Sequence, residues 1–213
     1  MLIVDDHPLV RQAVARIVEQ TPDLAVCGQA GEFQAGLDTI EQLHPDIAII
    51  DIRIGGRGGF ELIKEVRSRW RDLPILVFSM HEEPLYAERA FRLGAQGYIA
   101  KTEPPERILQ AIRRVAEGNV YVSDKLSSRV LRTIVAGRPP MGSLAVDQLS
   151  DRQFQVFELI GQGLSTREIA ERLYLSVKTI DTYREHIKHR LNLRSSSELL
   201  KYAIQWARSE RGG

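Results

Sequence analysis

The feature that most restricts how this chain can fold is the regular return of short, β-branched apolar runs in its first half. Leu2 to Val4, Leu24 to Cys27, Ile47 to Ile50, Ile75 to Phe78 and Tyr98 to Ala100 begin 22 to 28 residues apart. The segments between them carry apolar residues at helical spacing instead: Val10, Val14, Ile17 and Val18, then Leu37, Ile40 and Leu43, then Leu62, Ile63 and Val66. Ile108, Ile112 and Val115 continue the pattern after the last run. Strands that are apolar on both faces and alternate with helices are best accommodated by a parallel sheet covered on each side. The expectation is an α/β domain over residues 1–118, with five parallel strands in the flavodoxin-like order 2-1-3-4-5. Cys27, the only cysteine, is expected inside the second strand, since free cysteine is usually buried. A single cysteine also excludes an intrachain disulfide and a multi-cysteine zinc site.

The second half contains no comparable run. Residues 119–146 read as a linker with a connecting helix, Ser123 to Ala136, followed by the breaker-rich stretch Gly137-Arg138-Pro139-Pro140-Met141-Gly142-Ser143. Beyond it four short helical patterns, at 151–162, 166–173, 177–191 and 196–208, predict a small all-α domain over residues 147–210. Gly163 can end the first of these, and Ser165 to Glu168 has the spacing of a capping box. A net charge of +1 points to no partner for the whole chain, and the slight positive excess of the helical half permits nucleic-acid binding without arguing for it. No apolar run exceeds four residues, far short of the roughly 18 that span a bilayer, so a cytoplasmic protein without a membrane partner is expected.

Ligands of a parallel α/β sheet bind where loops leave the carboxyl ends of the strands. Asp5 and Asp6 follow the first predicted strand, Asp51 the third, Ser79 the fourth and Lys101 the fifth. In the order 2-1-3-4-5 these groups converge. Carboxylates about 5 Å apart repel by about 3 kcal/mol per pair at an effective dielectric near 20, so the cluster calls for a cation. Hard oxygen donors select Mg²⁺ beside a phosphoryl group. The chemistry this permits has Asp51 as a nucleophile forming an acyl phosphate, Lys101 pairing with one phosphoryl oxygen and Ser79 donating to another.

The string Leu2-Ile3-Val4-Asp5-Asp6-His7-Pro8, Asp51 after Ile47 to Ile50, Phe78-Ser79, and Gly94-Ala95-Gln96-Gly97-Tyr98-Ile99-Ala100-Lys101 resembles the receiver domain of bacterial two-component response regulators. The resemblance implies phosphotransfer from a partner histidine kinase to Asp51. It implies direct Mg²⁺ ligation by Asp6, ligation by Asp5 through water, and completion of the metal site by Asp51 and the backbone carbonyl of Arg53. Ser79 and Tyr98 would be the switch pair, the hydroxyl moving toward the phosphoryl group and the ring following inward. The sequence departs from the family's usual Met-Pro after the phosphoacceptor: Ile54-Gly55 stands there, followed by Gly56, Arg57, Gly58 and Gly59. Four glycines raise the entropy of that loop, and Arg53 puts a cation at the mouth of the site.

Leu149 to Gln153, Gly163 to Ala170, Leu175-Ser176-Val177-Lys178-Thr179-Ile180 and Leu191 resemble the LuxR-type helix-turn-helix, which together with the receiver is similar to NarL/FixJ-type regulators. On a helical wheel Val177, Ile180, Ile187 and Leu191 face the core, and Lys178, Asp181, Thr182, Glu185 and His189 lie nearly opposite, as a helix entering the major groove requires. The resemblance implies base-edge contacts from Asp181, Thr182 and Glu185, with Lys178, Thr179, Tyr183, Arg184 and Arg190 on phosphates. Asp181 and Tyr183 stand where the family often has lysine and histidine, and acids in the groove can accept from cytosine N4. The last helix is more apolar than a terminal helix of a small monomer needs, and the resemblance implies that it pairs two subunits on DNA.

The reading is a DNA-binding regulator, not an enzyme, that is switched by phosphorylation of Asp51 and dimerises when active on promoter DNA. The alternative is a phosphorylation-independent regulator with an atypical receiver. A stand-alone Mg²⁺ phosphohydrolase has no use for residues 147–208, and a small-molecule sensor has no use for the acidic triad and Lys101.

Overall fold

A computed structural model describes residues 1–54, 58–80, 84–123, 146 and 148–211. The chain divides into two compact units, Met1–Ile134 and Val135–Gly213. The expected connecting helix at Ser123 to Ala136, the Pro/Gly stretch at 137–143 and the loop residues Gly55, Gly56 and Arg57 lie outside the described residues or at their edge.

The first unit holds a parallel sheet of β1 (Leu2–Val4), β2 (Gly28–Ala30), β3 (Ala48–Ile50), β4 (Ile75–Ser79), β5 (Gly97–Ala100) and β6 (Tyr121–Val122) in the order β2-β1-β3-β4-β5-β6. Between the strands run α1 (Pro8–Glu19), α2 (Phe33–Leu43), α3 (Gly59–Arg69), α4 (Pro84–Arg92) and α5 (Pro105–Ala116). β1, β3, β4 and β5 are buried throughout, as central strands of a two-sided sheet must be. Alternation splits the strand residues between two layers. Ile3, Ile49, Leu76, Phe78 and Ile99 pack with Val14 and Val18 of α1 and Ile108, Ile112 and Val115 of α5. On the other layer Gly36 of α2 lies against Val4, where an added Cβ would stand 3.2 Å from the valine methyl.

Three expectations are corrected. The sheet has six strands, because the residue pairs Gly97↔Tyr121 and Tyr98↔Val122 fill the free edge of β5, so the receiver unit runs past Gly118. The second strand is Gly28–Ala30, not Leu24 to Cys27. Leu24 and Val26 are only partly buried against the α1/α5 core, and Cys27 is exposed, its backbone N–H reaching Met1 O at 2.9 Å. An edge strand buries less of its surface than a central one, so its ladder can fall on residues with little apolar signal. Here Gly28 is required by packing, since a Cβ would come within 2.7 Å of Thr39 Cγ2 on α2.

The second unit is helical: α6 (Asp151–Gly161), α7 (Thr166–Leu173), α8 (Val177–Arg190) and α9 (Ser196–Arg211). The Ser165/Glu168 capping box is formed, and Ser150/Gln153 forms another at α6. Trp206 of α9 meets Phe154 edge-on at 5.6 Å and Phe157 at 5.2 Å. A Cβ on Gly161 would stand 2.7 Å from Ala203 O, so glycine permits the close α6/α9 crossing. Leu199, Ala203, Trp206 and Ala207 are buried within this unit, while Leu200 remains 41% exposed. No helix among the described residues is long and apolar enough to cross a membrane.

Candidate functional site: an acidic pocket and a helix-turn-helix

Sheet register assembles the first site. Val4 pairs with Ile50 and Ile50 with Val77, so β1, β3 and β4 end at nearly one level. Asp5 N–H donates to Ala30 O at 3.0 Å and Asp51 N–H to Val4 O at 2.8 Å, which fixes both acids at the carboxyl edge. Lys101 follows β5, its N–H donating to Ser79 O at 2.7 Å. Its ammonium lies 2.5 Å from Asp5 Oδ2 and 2.8 Å from Asp51 Oδ2, with only 5% of the side chain exposed. Asp5 Oδ2 accepts no directed hydrogen bond despite that proximity. Burial pushes the Asp51 carboxyl up from its ordinary range, against the opposing pull of the Lys101 ammonium and of the Arg53 backbone N–H that donates to it.

Asp5 and Asp51 are buried, at 1% and 3% exposure. The Asp6 side chain is 34% exposed and forms the rim. His7, which the sequence reading passed over, stands there too. Its Nδ1 is 2.6 Å from Asp6 Oδ1 and 3.3 Å from Asp5 Oδ1. One ligand atom from each of Asp5, Asp6, His7 and Asp51 falls within 4.8 Å of all the others. One buried ammonium among three carboxylates leaves negative charge uncompensated, and this oxygen-rich donor set fits a hard divalent cation.

Ser79 and Tyr98 are both fully buried. Tyr98 pairs with Val77, two residues before Ser79, so both side chains belong to one face of the sheet. The ring that was expected to move inward is already inside in this structure. Arg53 is exposed and takes part in the pocket through its backbone. Gly58 and Gly59 do more than loosen a loop. Gly58 has φ +86°, and a Cβ on Gly59 would stand 1.9 Å from Asp51 O, so α3 starts directly against the Asp51 main chain.

In the second unit Ser176 caps α8 by accepting from Thr179 N–H at 3.0 Å. Lys178, Asp181, Thr182 and Glu185 are exposed, and Thr179, Tyr183 and Arg184 are half-buried. Thr182 Oγ1 donates to Lys178 O at 3.0 Å, and Glu185 pairs with Lys188 at 2.9 Å. One placement differs from expectation. Val177 is 47% exposed rather than in the core; Ile180 and Ile187 are buried as expected. The Arg190 guanidinium donates through Nη1 to Gln148 O, tying α8 to the segment before α6, and the residue remains exposed.

Comparison with known proteins agrees with this architecture. Residues 1–113 match the response regulator receiver domain and residues 147–203 match the bacterial regulatory proteins of the luxR family. The chain is 32% identical over 213 residues to the nitrate/nitrite response regulator protein NarL of Escherichia coli K12, covering 99% of this chain and 95% of NarL. It is 31% identical over 209 residues to the oxygen regulatory protein NreC of Staphylococcus carnosus, covering 96% of each. A crystal structure of a LuxR-family two-component response regulator from Aurantimonas sp. aligns at TM-score 0.59 and 31% identity over 63% of this chain and 96% of that one. RcsB dimers bound to DNA align at TM-score 0.59 and 25% identity over 94% and 95%. Receiver and helix-turn-helix together define a DNA-binding response regulator of a two-component system. Within that class the chain belongs to the NarL-type family, whose members are transcriptional regulators.

Proposed function

We propose that this response regulator is switched by phosphotransfer from a sensor histidine kinase to Asp51. The observation that carries the reading is the Lys101 ammonium held between Asp5 and Asp51 at 2.5 and 2.8 Å, a fixed cation next to a buried carboxylate. In the transfer an Asp51 carboxylate oxygen forms the new P–O bond as the P–N bond of the phosphohistidine breaks. Lys101 shifts from the carboxylates to a phosphoryl oxygen, and Ser79 donates to another. Asp6, Asp51 and the Arg53 backbone carbonyl would hold Mg²⁺, with Asp5 joining through water, and the ion would supply charge compensation to the phosphoryl oxygens.

The output rests on α8. Its exposed residues Asp181, Thr182 and Glu185 are the base-edge candidates and Lys178, Thr179, Tyr183, Arg184 and Arg190 the phosphate candidates in promoter DNA. The active form is a homodimer, supported by the RcsB dimers seen on DNA and by Leu200, which α9 leaves exposed. The receiver, through β6, and DNA-binding residues 147–210 act as separate modules, in the cytoplasm.

Incubating the full chain with acetyl phosphate and Mg²⁺ and measuring intact mass tests the reading. The expected gain is one phosphoryl group, dependent on Mg²⁺ and lost in Asp51→Asn. No gain, with DNA binding retained, establishes the phosphorylation-independent alternative instead.

A further inference from the structure

The turns that follow α6, α7 and α8 are built alike. In each, one residue takes a left-handed backbone: Gly163 at φ 88°, Tyr174 at φ 54° and Asn192 at φ 54°. In each, the leucine that follows returns its N–H to the helix just left. Leu164 donates to Leu159 O at 3.1 Å, Leu175 to Ala170 O at 2.9 Å and Leu193 to Lys188 O at 2.8 Å. Glycine and asparagine are the residues such a turn favours, and a bulky tyrosine there is an outlier held against its own sterics. A Cβ on Gly163 would meet nothing within 4 Å, so this position of the turn faces outward.

The tyrosine gains nothing from its own unit in return. Tyr174 is 95% exposed, more than any other large apolar residue among those described, and its hydroxyl has no hydrogen-bond partner among them. Strain of this kind is kept where a function needs it. Of the three turns, this one alone leads into the DNA-reading helix. Tyr174 stands two residues before Ser176, the N-cap of α8, and three before Val177, which opens that helix 47% exposed. The returning Leu175 N–H fixes the turn's backbone, so the side chain is presented from a set place at the start of α8.

In a helix-turn-helix the second helix enters the major groove while the helix before it crosses the sugar-phosphate backbone, so the turn between them lies at the groove's edge. A phenol suits that place, with an apolar ring for the sugar and a neutral donor for a phosphate oxygen. We propose that Tyr174 is a DNA-contact residue, its hydroxyl donating to a backbone phosphate beside the groove that α8 enters and its ring covering the adjoining deoxyribose. This rests on α8 as the reading helix and adds a contact from the turn ahead of it. Such a contact sets where α8 sits along the duplex without reading a base. Being neutral it releases no counterion, so unlike a lysine contact it leaves the salt dependence of binding unchanged.

The test uses the purified full chain and a labelled duplex that the wild type selects from a random pool. Fluorescence anisotropy at several salt concentrations compares wild type with Tyr174→Phe, which removes only the hydroxyl, and Tyr174→Gly, which also removes the ring and relieves the turn. Tyr174→Phe is expected to bind roughly threefold to tenfold more weakly and Tyr174→Gly more weakly still, both with the wild-type salt slope. Urea unfolding of Tyr174→Gly shows a midpoint no lower than wild type, so lost folding does not account for lost binding. Ethylation interference then supplies a signature that a purely structural tyrosine does not give: a phosphate whose ethylation blocks the wild type no longer matters to Tyr174→Phe. Wild-type affinity in Tyr174→Phe, a salt slope that falls with the hydroxyl, or coincident interference patterns overturn the inference and leave α8 its role. A wild type that selects no duplex overturns the DNA-contact reading of α8 itself.

Discussion

Replacing Asp51 by Asn stabilises the metal-free protein, and Mg²⁺ then cancels the advantage. Three carboxylates stand within 4.8 Å of one another. At an effective dielectric near 20 each repulsion involving Asp51 costs about 3.5 kcal/mol, about 7 for its two neighbours, against about 6 gained from an ammonium at 2.8 Å. Burial of the carboxylate adds to the cost, and it is the largest influence raising the Asp51 pKa. After screening, a net gain of about 1–2 kcal/mol is a fair expectation for the neutral amide, or a rise of about 5 °C in the receiver's unfolding temperature. Because the folded pKa is raised, Asp51's contribution to stability is complete only at acid pH and is lost as the pH climbs through the folded value. The variant's advantage therefore grows with pH and vanishes once Asp51 is protonated. Ligand linkage acts the other way: Mg²⁺ at a hundred times its Kd stabilises the wild type by about 2.7 kcal/mol and Asp51→Asn by much less. Scanning calorimetry of the full chain in EDTA and in Mg²⁺, at several pH values, reads all of this. A variant less stable than wild type in EDTA at neutral pH, or a wild type indifferent to Mg²⁺, refutes the reasoning.

Lys178→Ala should weaken binding to unrelated DNA sequences alike and reduce the salt slope by roughly one unit in fluorescence anisotropy titrations; an unchanged slope removes Lys178 from the phosphate contacts. Ser79→Ala should accept phosphate at Asp51 by intact mass yet dimerise poorly on phosphorylation in sedimentation experiments, and full dimerisation defeats the switch assignment. Tyr174 ends α7 at φ 54° and is 95% exposed. Tyr174→Gly should therefore stabilise the helical unit by about 0.5–1 kcal/mol in urea unfolding, since only glycine takes that conformation at no cost in sterics.

Sequence alone settled a good deal here. The central strands β1, β3, β4 and β5 were legible because a strand buried on both faces must be apolar at every position, and the helices between them because one face must be apolar at every third or fourth. Once those strands are parallel, Asp5, Asp6, Asp51, Ser79 and Lys101 have to gather at one edge, whatever the details of packing. The capped starts of α7 and α8 are equally local, written in which side chain can reach a free N–H one turn ahead. Tertiary structure decided what lies at margins. β2 and β6 are edge strands, and a two-residue strand exists only because β5 offers an unpaired edge for it. Cys27 lies outside, Val177 faces solvent and Arg190 is tied to Gln148 because those outcomes depend on where the neighbouring segment ends, which no periodicity records. His7 belongs to the same class. Its place beside the acids comes from how the β1–α1 turn closes over them, a geometry that spacing along the chain does not contain.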